Sequence, residues 1–141
     1  MSVPNPPSTA DLLNHPIVCQ AMEQAWLDSQ AGDPLHRHEE GGWIYMDTTT
    51  GQISIRRAPA GQRNQLSLGG PPIVFGSVVV GTFHTHPNPT AEGWNPGPSS
   101  TGQNSAIQSG VPWLIRADNG VYSTGPDSRR GGIPGGPGFP P

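Results

Sequence analysis

The feature that most constrains the fold is a run of β-branched and aromatic residues at positions 71–86, PPIVFGSVVVGTFHTH. Valine, isoleucine, phenylalanine and threonine favour extended backbone, so this run predicts a strand in the middle of a sheet. Gly76 and Gly81 interrupt the pattern and predict irregularities along it. We therefore expect one long or bent central strand that ends in His84 and His86.

Weaker patterns on either side predict the remaining elements. Apolar side chains recur at i, i+4 spacing after Pro16, which suits a first helical turn, and Gly32 suits the end of that helix. Asn119-Gly120 is a typical hairpin turn. The predicted elements are an amphipathic helix at 16–31, two strands within 41–57 joined by a turn at 47–51, a short helix at 100–109 and a hairpin within 111–123. Together they predict an α/β domain with a central, mostly antiparallel mixed sheet flanked by helices.

The ends of the chain differ in composition from its middle. The sequence has 20 glycines and 18 prolines, and residues 1–9 and 125–141 hold much of the proline. These segments lack the apolar residues that a core requires. We therefore expect a flexible tail at 1–10, one domain at 11–124 and a flexible Gly/Pro-rich tail at 125–141.

Charge and hydropathy exclude several classes of function. The net charge is −3 and there is no basic run, which argues against nucleic acid as a partner. No apolar stretch approaches 18 residues, which argues against a membrane span, and no signal peptide is evident. We expect a cytoplasmic protein, or one exported by a route that uses no signal peptide. The single cysteine, Cys19, excludes an internal disulfide, and its place in the predicted helix predicts burial.

Two histidines at the end of the central strand are candidate metal ligands. Side chains two apart on a strand point to the same side, so His84 and His86 project together. Two imidazoles from one strand are half of a tetrahedral zinc site. A second pair, His36 and His38, is predicted to lie in an exposed polar loop. A glutamate that follows this pair enters the next predicted strand, where it can accept a proton from a metal-activated water.

Four motifs, taken in order, resemble the JAMM/MPN zinc metalloprotease domain. They are Glu39-x-x-Gly42 before an apolar strand, HTHP at 84–87, GPSST at 97–101 and GVPWLI at 110–115. The resemblance covers about residues 16–124 and is stronger to bacterial stand-alone or toxin-associated members than to eukaryotic deubiquitinases. It implies a JAMM-like α/β fold and a zinc-dependent peptidase or isopeptidase. In this family a metal-activated water attacks an amide bond of a protein or peptide substrate.

The resemblance also implies roles for individual residues. His84 and His86 match the zinc ligands, and Glu39 matches the general base because it, unlike Glu40, keeps the E-x-x-G spacing. Ser99 matches the serine that hydrogen-bonds the oxyanion. The third zinc ligand of the family is an aspartate three residues after that serine, where this sequence has Gly102.

The missing aspartate leaves several alternatives open. Glu92, Gln103 or Asp118 can replace it, or two histidines and water can hold the ion weakly. The domain can also be a catalytically impaired relative that acts as a binding or scaffold module. A cupin-like metal barrel that uses all four of the paired histidines is a further alternative. The predicted helices at 16–31 and 100–109 argue against that barrel.

Overall fold

The computed structural model describes residues 4–66, 68–94 and 110–125. These ranges contain helices α1 (Thr9–Asn14) and α2 (Pro16–Asp28), a 3-10 turn (Thr90–Glu92) and strands β1 (Gly41–Asp47), β2 (Ile53–Arg57), β3 (Ser77–His86), β4 (Trp113–Ala117) and β5 (Gly120–Thr124). Neither helix in these ranges has the length and apolar character needed to span a membrane. The helix predicted at 100–109 lies outside the described residues, as does Ser99.

The strands form one five-stranded sheet in the order β2-β1-β3-β4-β5. β1 pairs antiparallel with both β2 and β3, and β4 pairs antiparallel with β5. Only the central pair, β3 with β4, is parallel. The predicted α/β class with a mixed, mostly antiparallel sheet is therefore confirmed, and β3 is the central strand.

The main core lies between the two helices and one face of the sheet. α2 begins as predicted, with Pro16 in its first turn and the His15 ring accepting a hydrogen bond from the Ile17 amide. Its buried face contributes to a cluster that includes side chains from α1 and four strands: Leu12, Val18, Met22, Ala25, Ile44, Ile53, Phe83 and Leu114. Cys19 lies off this face and is exposed, so the prediction that it is buried is wrong.

α2 ends at Asp28, whereas its predicted end was residue 31. The Ser29 hydroxyl donates to the Ala25 carbonyl at 2.8 Å and lies 2.5 Å from the Thr85 hydroxyl on β3. Gln30 then adopts a left-handed conformation with φ 52°. The Ser29 amide still donates to the Ala25 carbonyl at 2.9 Å, and the Gln30 amide donates to the Leu27 carbonyl at 3.2 Å, so the helix ends in a tighter turn beside this polar contact to the sheet.

Helix α1 was not predicted, and it begins inside the segment assigned to the amino-terminal tail. Ser8 and Asp11 form a capping box, in which each side chain accepts a hydrogen bond from the other residue's backbone amide. Leu12 and Leu13 then pack into the core. Six residues form this helix, which is too short for a periodic pattern to identify.

β3 has both predicted irregularities but starts later than expected. It begins at Ser77, because Gly76 has φ 79° and the residues before it leave the sheet, with Ile73 and Phe75 fully exposed. A bulge lies next to Gly81, which pairs with Ile44 while Val79 pairs with Tyr45. The predicted hairpin is also present.

The turn of that hairpin lies one residue earlier than predicted. Ala117 pairs with Gly120, so the connecting residues are Asp118 and Asn119, and Gly120 already opens β5. The predicted Asn119-Gly120 pair therefore straddles the end of the turn.

Gly41 allows β1 to approach β3 closely beside His84. A Cβ atom at this position would lie 2.3 Å from the Phe83 carbonyl oxygen. We expect Gly41→Ala to lower the free energy of unfolding by about 1–3 kcal/mol, because backbone atoms must move to accommodate the methyl group. Gly32→Ala is the matched control, since its Cβ would meet nothing within 4 Å. Urea denaturation of both variants measures the effect, and equal stability would contradict a close approach at Gly41.

Candidate metal centre

The direction of the two β3 histidines is set by the residue between them. Thr85 is completely buried on the helix side of the sheet, where its hydroxyl meets Ser29 and accepts a hydrogen bond from the Glu40 amide at 3.0 Å. Because side chains alternate along a strand, His84 and His86 both point to the opposite face. This is the arrangement that the spacing predicted.

Glu39 reaches the same face from the neighbouring strand. Gly41 pairs with His84, and the Thr85 amide donates to the Glu40 carbonyl at 2.8 Å, so the pairing continues past the start of β1. Glu39 lies two residues before Gly41 and therefore faces the side of His84. Its backbone is held by Gln62 and Gly61, each at 2.8 Å. The metal-binding atoms of Glu39, His84 and His86 all lie within 4.8 Å of one another.

The spacing of the two imidazoles fits a shared ion. Their Nε2 atoms are 3.1 Å apart. Two nitrogens on one tetrahedral zinc lie about 3.3 Å apart, because each Zn–N bond is about 2.0–2.1 Å. Burial and the nearby His86 ring lower the pKa of His84 to about 3, which favours the neutral imidazole that binds metals. The Trp113 ring stands edge-on to His84 at a centroid distance of 5.9 Å.

Glu39 is a buried acid with no compensating charge among the described residues. Its exposed fraction is 6 %, and burial raises the pKa of its carboxyl group to about 8. Within the described part of the chain, no residue gives this carboxyl group a hydrogen bond or an ion pair. A buried carboxylate beside the neutral imidazole of His84 lacks a positive counterpart among the described residues, and a divalent cation supplies one. The three side chains therefore fit a metal ion.

Glu40, the neighbouring acid, points to the opposite face of the sheet from Glu39, and nearby basic side chains balance its negative charge. Its carboxylate lies 2.5 Å from His38 Nε2 and 2.8 Å from the Arg57 guanidinium. His36 is bound to Asp33 at 2.7 Å. The pair His36 and His38 therefore has other partners and does not join His84 and His86, which leaves the cupin-like arrangement of four histidines without support.

Two candidates for the third ligand are held elsewhere. Glu92 forms ion pairs with Arg37 at 3.3 Å and with Arg63 at 3.5 Å. Asp118 accepts two hydrogen bonds from Thr90, at 3.0 Å and 3.1 Å. Neither belongs to the cluster of Glu39, His84 and His86, which is the one group of three metal-binding side chains within residues 4–66, 68–94 and 110–125. Gln103 and Gly102 lie outside these ranges.

Arg37 and Arg63 were not singled out from the sequence, yet they anchor the loop that follows His86. Arg63 Nε donates to Asn88 Oδ1 at 2.9 Å, and Asn88 Nδ2 donates back to the Arg63 carbonyl at 3.1 Å. Both arginines also reach Glu92. These contacts join residues far apart in the chain, and no local pattern identifies them.

The chain matches no protein-family model and no curated protein sequence. The geometry of the site and the chemistry of its residues are therefore the basis on which a function is inferred.

The raised pKa of Glu39 predicts a pH-dependent stability in the metal-free protein. Folded Glu39 keeps its proton up to about pH 8, whereas an unfolded glutamate releases it near 4.5. Between these values the folded state binds more protons, so the free energy of unfolding falls as pH rises, by up to about 1.4 kcal/mol per pH unit. We expect Glu39→Gln to remove this decline.

The measurement is urea denaturation of both proteins in a chelator at pH 5, 6 and 7. The stability of Glu39→Gln relative to wild type should rise steadily with pH, and contributions from His84 cancel because both proteins contain it. If the free energies of unfolding of the two proteins instead change by the same amount between pH 5 and pH 7, Glu39 is ionised in the folded, metal-free protein.

Proposed function

We propose that this chain is a zinc-dependent hydrolase that cleaves an amide bond in a protein or peptide, as a peptidase or isopeptidase of JAMM type. The observation that carries the proposal is the convergence of His84 and His86 with the buried Glu39 at one end of the sheet. The strand arrangement supports it, because the predicted base and the predicted ligands come from adjacent antiparallel strands. A JAMM-like fold is part of the same proposal.

Each residue of the cluster has a chemical role in this reaction. His84 and His86 would hold the ion through their imidazole nitrogens. Bound zinc supplies Lewis acidity toward water and toward a carbonyl oxygen. Glu39 takes the proton of the attacking water and returns it to the leaving amine. Burial raises the pKa of Glu39 toward neutrality, where a group exchanges protons most effectively in both directions. Ser99 is the proposed donor to the oxyanion.

A second candidate function follows from the partners of Glu92 and Asp118. Because both acids are engaged elsewhere, Glu39 can itself be the third zinc ligand. In that case it cannot serve as a free base, and the described residues bring no other acid into the cluster. The domain would then be a metal-stabilised binding or scaffold module. The role of Glu39, as base or as ligand, separates the two functions.

The histidine assignment predicts the location of the metal. We expect purified wild type to bind one equivalent of zinc and His84→Ala/His86→Ala to lose it, because both ligands on β3 are removed. His36→Ala/His38→Ala is the matched control and should keep its zinc. Metal content is measured by mass spectrometry, and circular dichroism checks folding. Zinc that stays with the first variant and leaves the second would move the site to the other pair.

Glu39→Gln distinguishes base from ligand. If Glu39 is the base, losing its nearby negative charge should weaken zinc binding by less than about tenfold, while the rate of peptide cleavage falls by about 10²-fold or more. Glu40→Gln is the control, because Glu40 faces the opposite side of the sheet and should leave zinc binding unchanged. Zinc titration and mass-spectrometric analysis of a peptide library provide the two readouts. A loss of zinc affinity of tenfold or more in Glu39→Gln would favour the binding module.

A further inference from the structure

A cavity of about 360 Å³ opens on the sheet face that carries the metal cluster. It lies between residues 68–71 and the strands β1, β3 and β4. Two indole rings and four aliphatic or proline side chains form most of its wall, together with one hydroxyl residue: Trp43, Trp113, Leu68, Pro71, Val79, Val111 and Thr82. None of the described residues that line it is charged. We call it the two-tryptophan pocket.

The pocket is adjacent to the candidate ligands. Thr82 lies two residues before His84 on the same face of β3, which places the two side chains about 6–7 Å apart along the strand. The Trp113 ring lines the pocket and also makes the edge-on contact with His84. A group bound in the pocket therefore lies next to the metal cluster, since Thr82 and His84 are successive side chains on this face of β3.

Two buried polar atoms belong to residues that line the pocket. Thr82 is 6 % exposed, and within the described part of the chain neither its Oγ1 nor the Nε1 of Trp113 has a hydrogen-bond partner. The two residues are direct partners on β3 and β4. Both atoms can donate a hydrogen bond, and the indole nitrogen can only donate. A carbonyl oxygen can accept a hydrogen bond from either group.

We propose that the two-tryptophan pocket binds an apolar, preferentially aromatic, side chain of a peptide, whose neighbouring carbonyl accepts hydrogen bonds from Thr82 and Trp113. An aromatic ring suits the pocket because it can pack against both indoles. A charged side chain would be desolvated there without a counter-charge. Resting on the proposed function, this inference makes the pocket the subsite that selects a substrate residue beside the scissile amide.

Binding of small amino-acid amides to the metal-free protein tests the pocket directly. N-acetyl-phenylalaninamide should shift the indole NMR signals of Trp43 and Trp113. It should not shift that of Trp26, which lies under the Arg116 guanidinium away from the pocket. N-acetyl-glutamate amide should leave all three unchanged. Equal shifts with both probes, or none with the phenylalanine probe, would overturn the proposal.

Two variants locate the contacts. Leu68→Trp fills the pocket and should reduce binding of the phenylalanine probe at least tenfold. Leu27→Trp, on the exposed side of α2, is its matched control and should bind as wild type does. Thr82→Val keeps the shape but removes the hydroxyl, so we expect binding at least threefold weaker without loss of folding stability, because an unpaired buried hydroxyl is removed. Circular dichroism verifies that all three variants are folded.

Probe binding by these variants tests the pocket without reference to the metal. Undiminished binding by Leu68→Trp would place the probe elsewhere and overturn the proposal, and undiminished binding by Thr82→Val would overturn the hydrogen-bonded carbonyl. Probe binding is measured without zinc and zinc binding without the probe. Failure of the pocket and failure of the proposed metal-dependent function are therefore distinguishable.

Discussion

The hydroxyl group of Thr85 is the contact on which the site depends. It joins the end of α2, through Ser29, to the start of β1, through the Glu40 amide, and it is completely buried. Its position fixes which face of β3 packs against the helices. The alternation of side chains then sends His84 and His86 to the other face. The same contact fixes the register of β1, so one polar interaction decides where both halves of the metal cluster lie.

That register gives two adjacent glutamates opposite environments. Glu40 turns toward Arg57 and His38, which balance its charge, whereas burial raises the pKa of Glu39 and no charge in the described part of the chain compensates it. A fold that buries an acid in this way loses stability when the acid ionises, unless a cation accompanies it. This contrast is the strongest physical argument for a metal, because the described residues compensate one acid of the pair and leave the other beside the candidate ligands His84 and His86.

Sequence patterns predicted those elements of the fold that depend on interactions between residues close together in the chain. The central strand, the helix at Pro16 and the last hairpin follow from periodicity and turn chemistry, and the direction of the two histidines follows from their spacing. Tertiary contacts determined the rest. Ser29 ended α2 early by bonding to the sheet, and Cys19 lies outside the buried stripe of its helix. Glu92 is held by two arginines from distant positions, and no sequence spacing encodes such partners.

The bulge in β3 connects the metal cluster to the two-tryptophan pocket. In a regular strand Val79 and Thr82, three residues apart, would point to opposite faces. The extra residue at the bulge places Val80 in the helix-side core and returns Val79 to the face of Thr82 and His84. Gly81 permits this, because a Cβ atom there would lie 3.0 Å from the Leu12 side chain. The irregularity that glycine introduces in an otherwise apolar strand therefore aligns an apolar wall, a buried hydroxyl and two imidazoles along one face, in the order that an extended peptide would meet them.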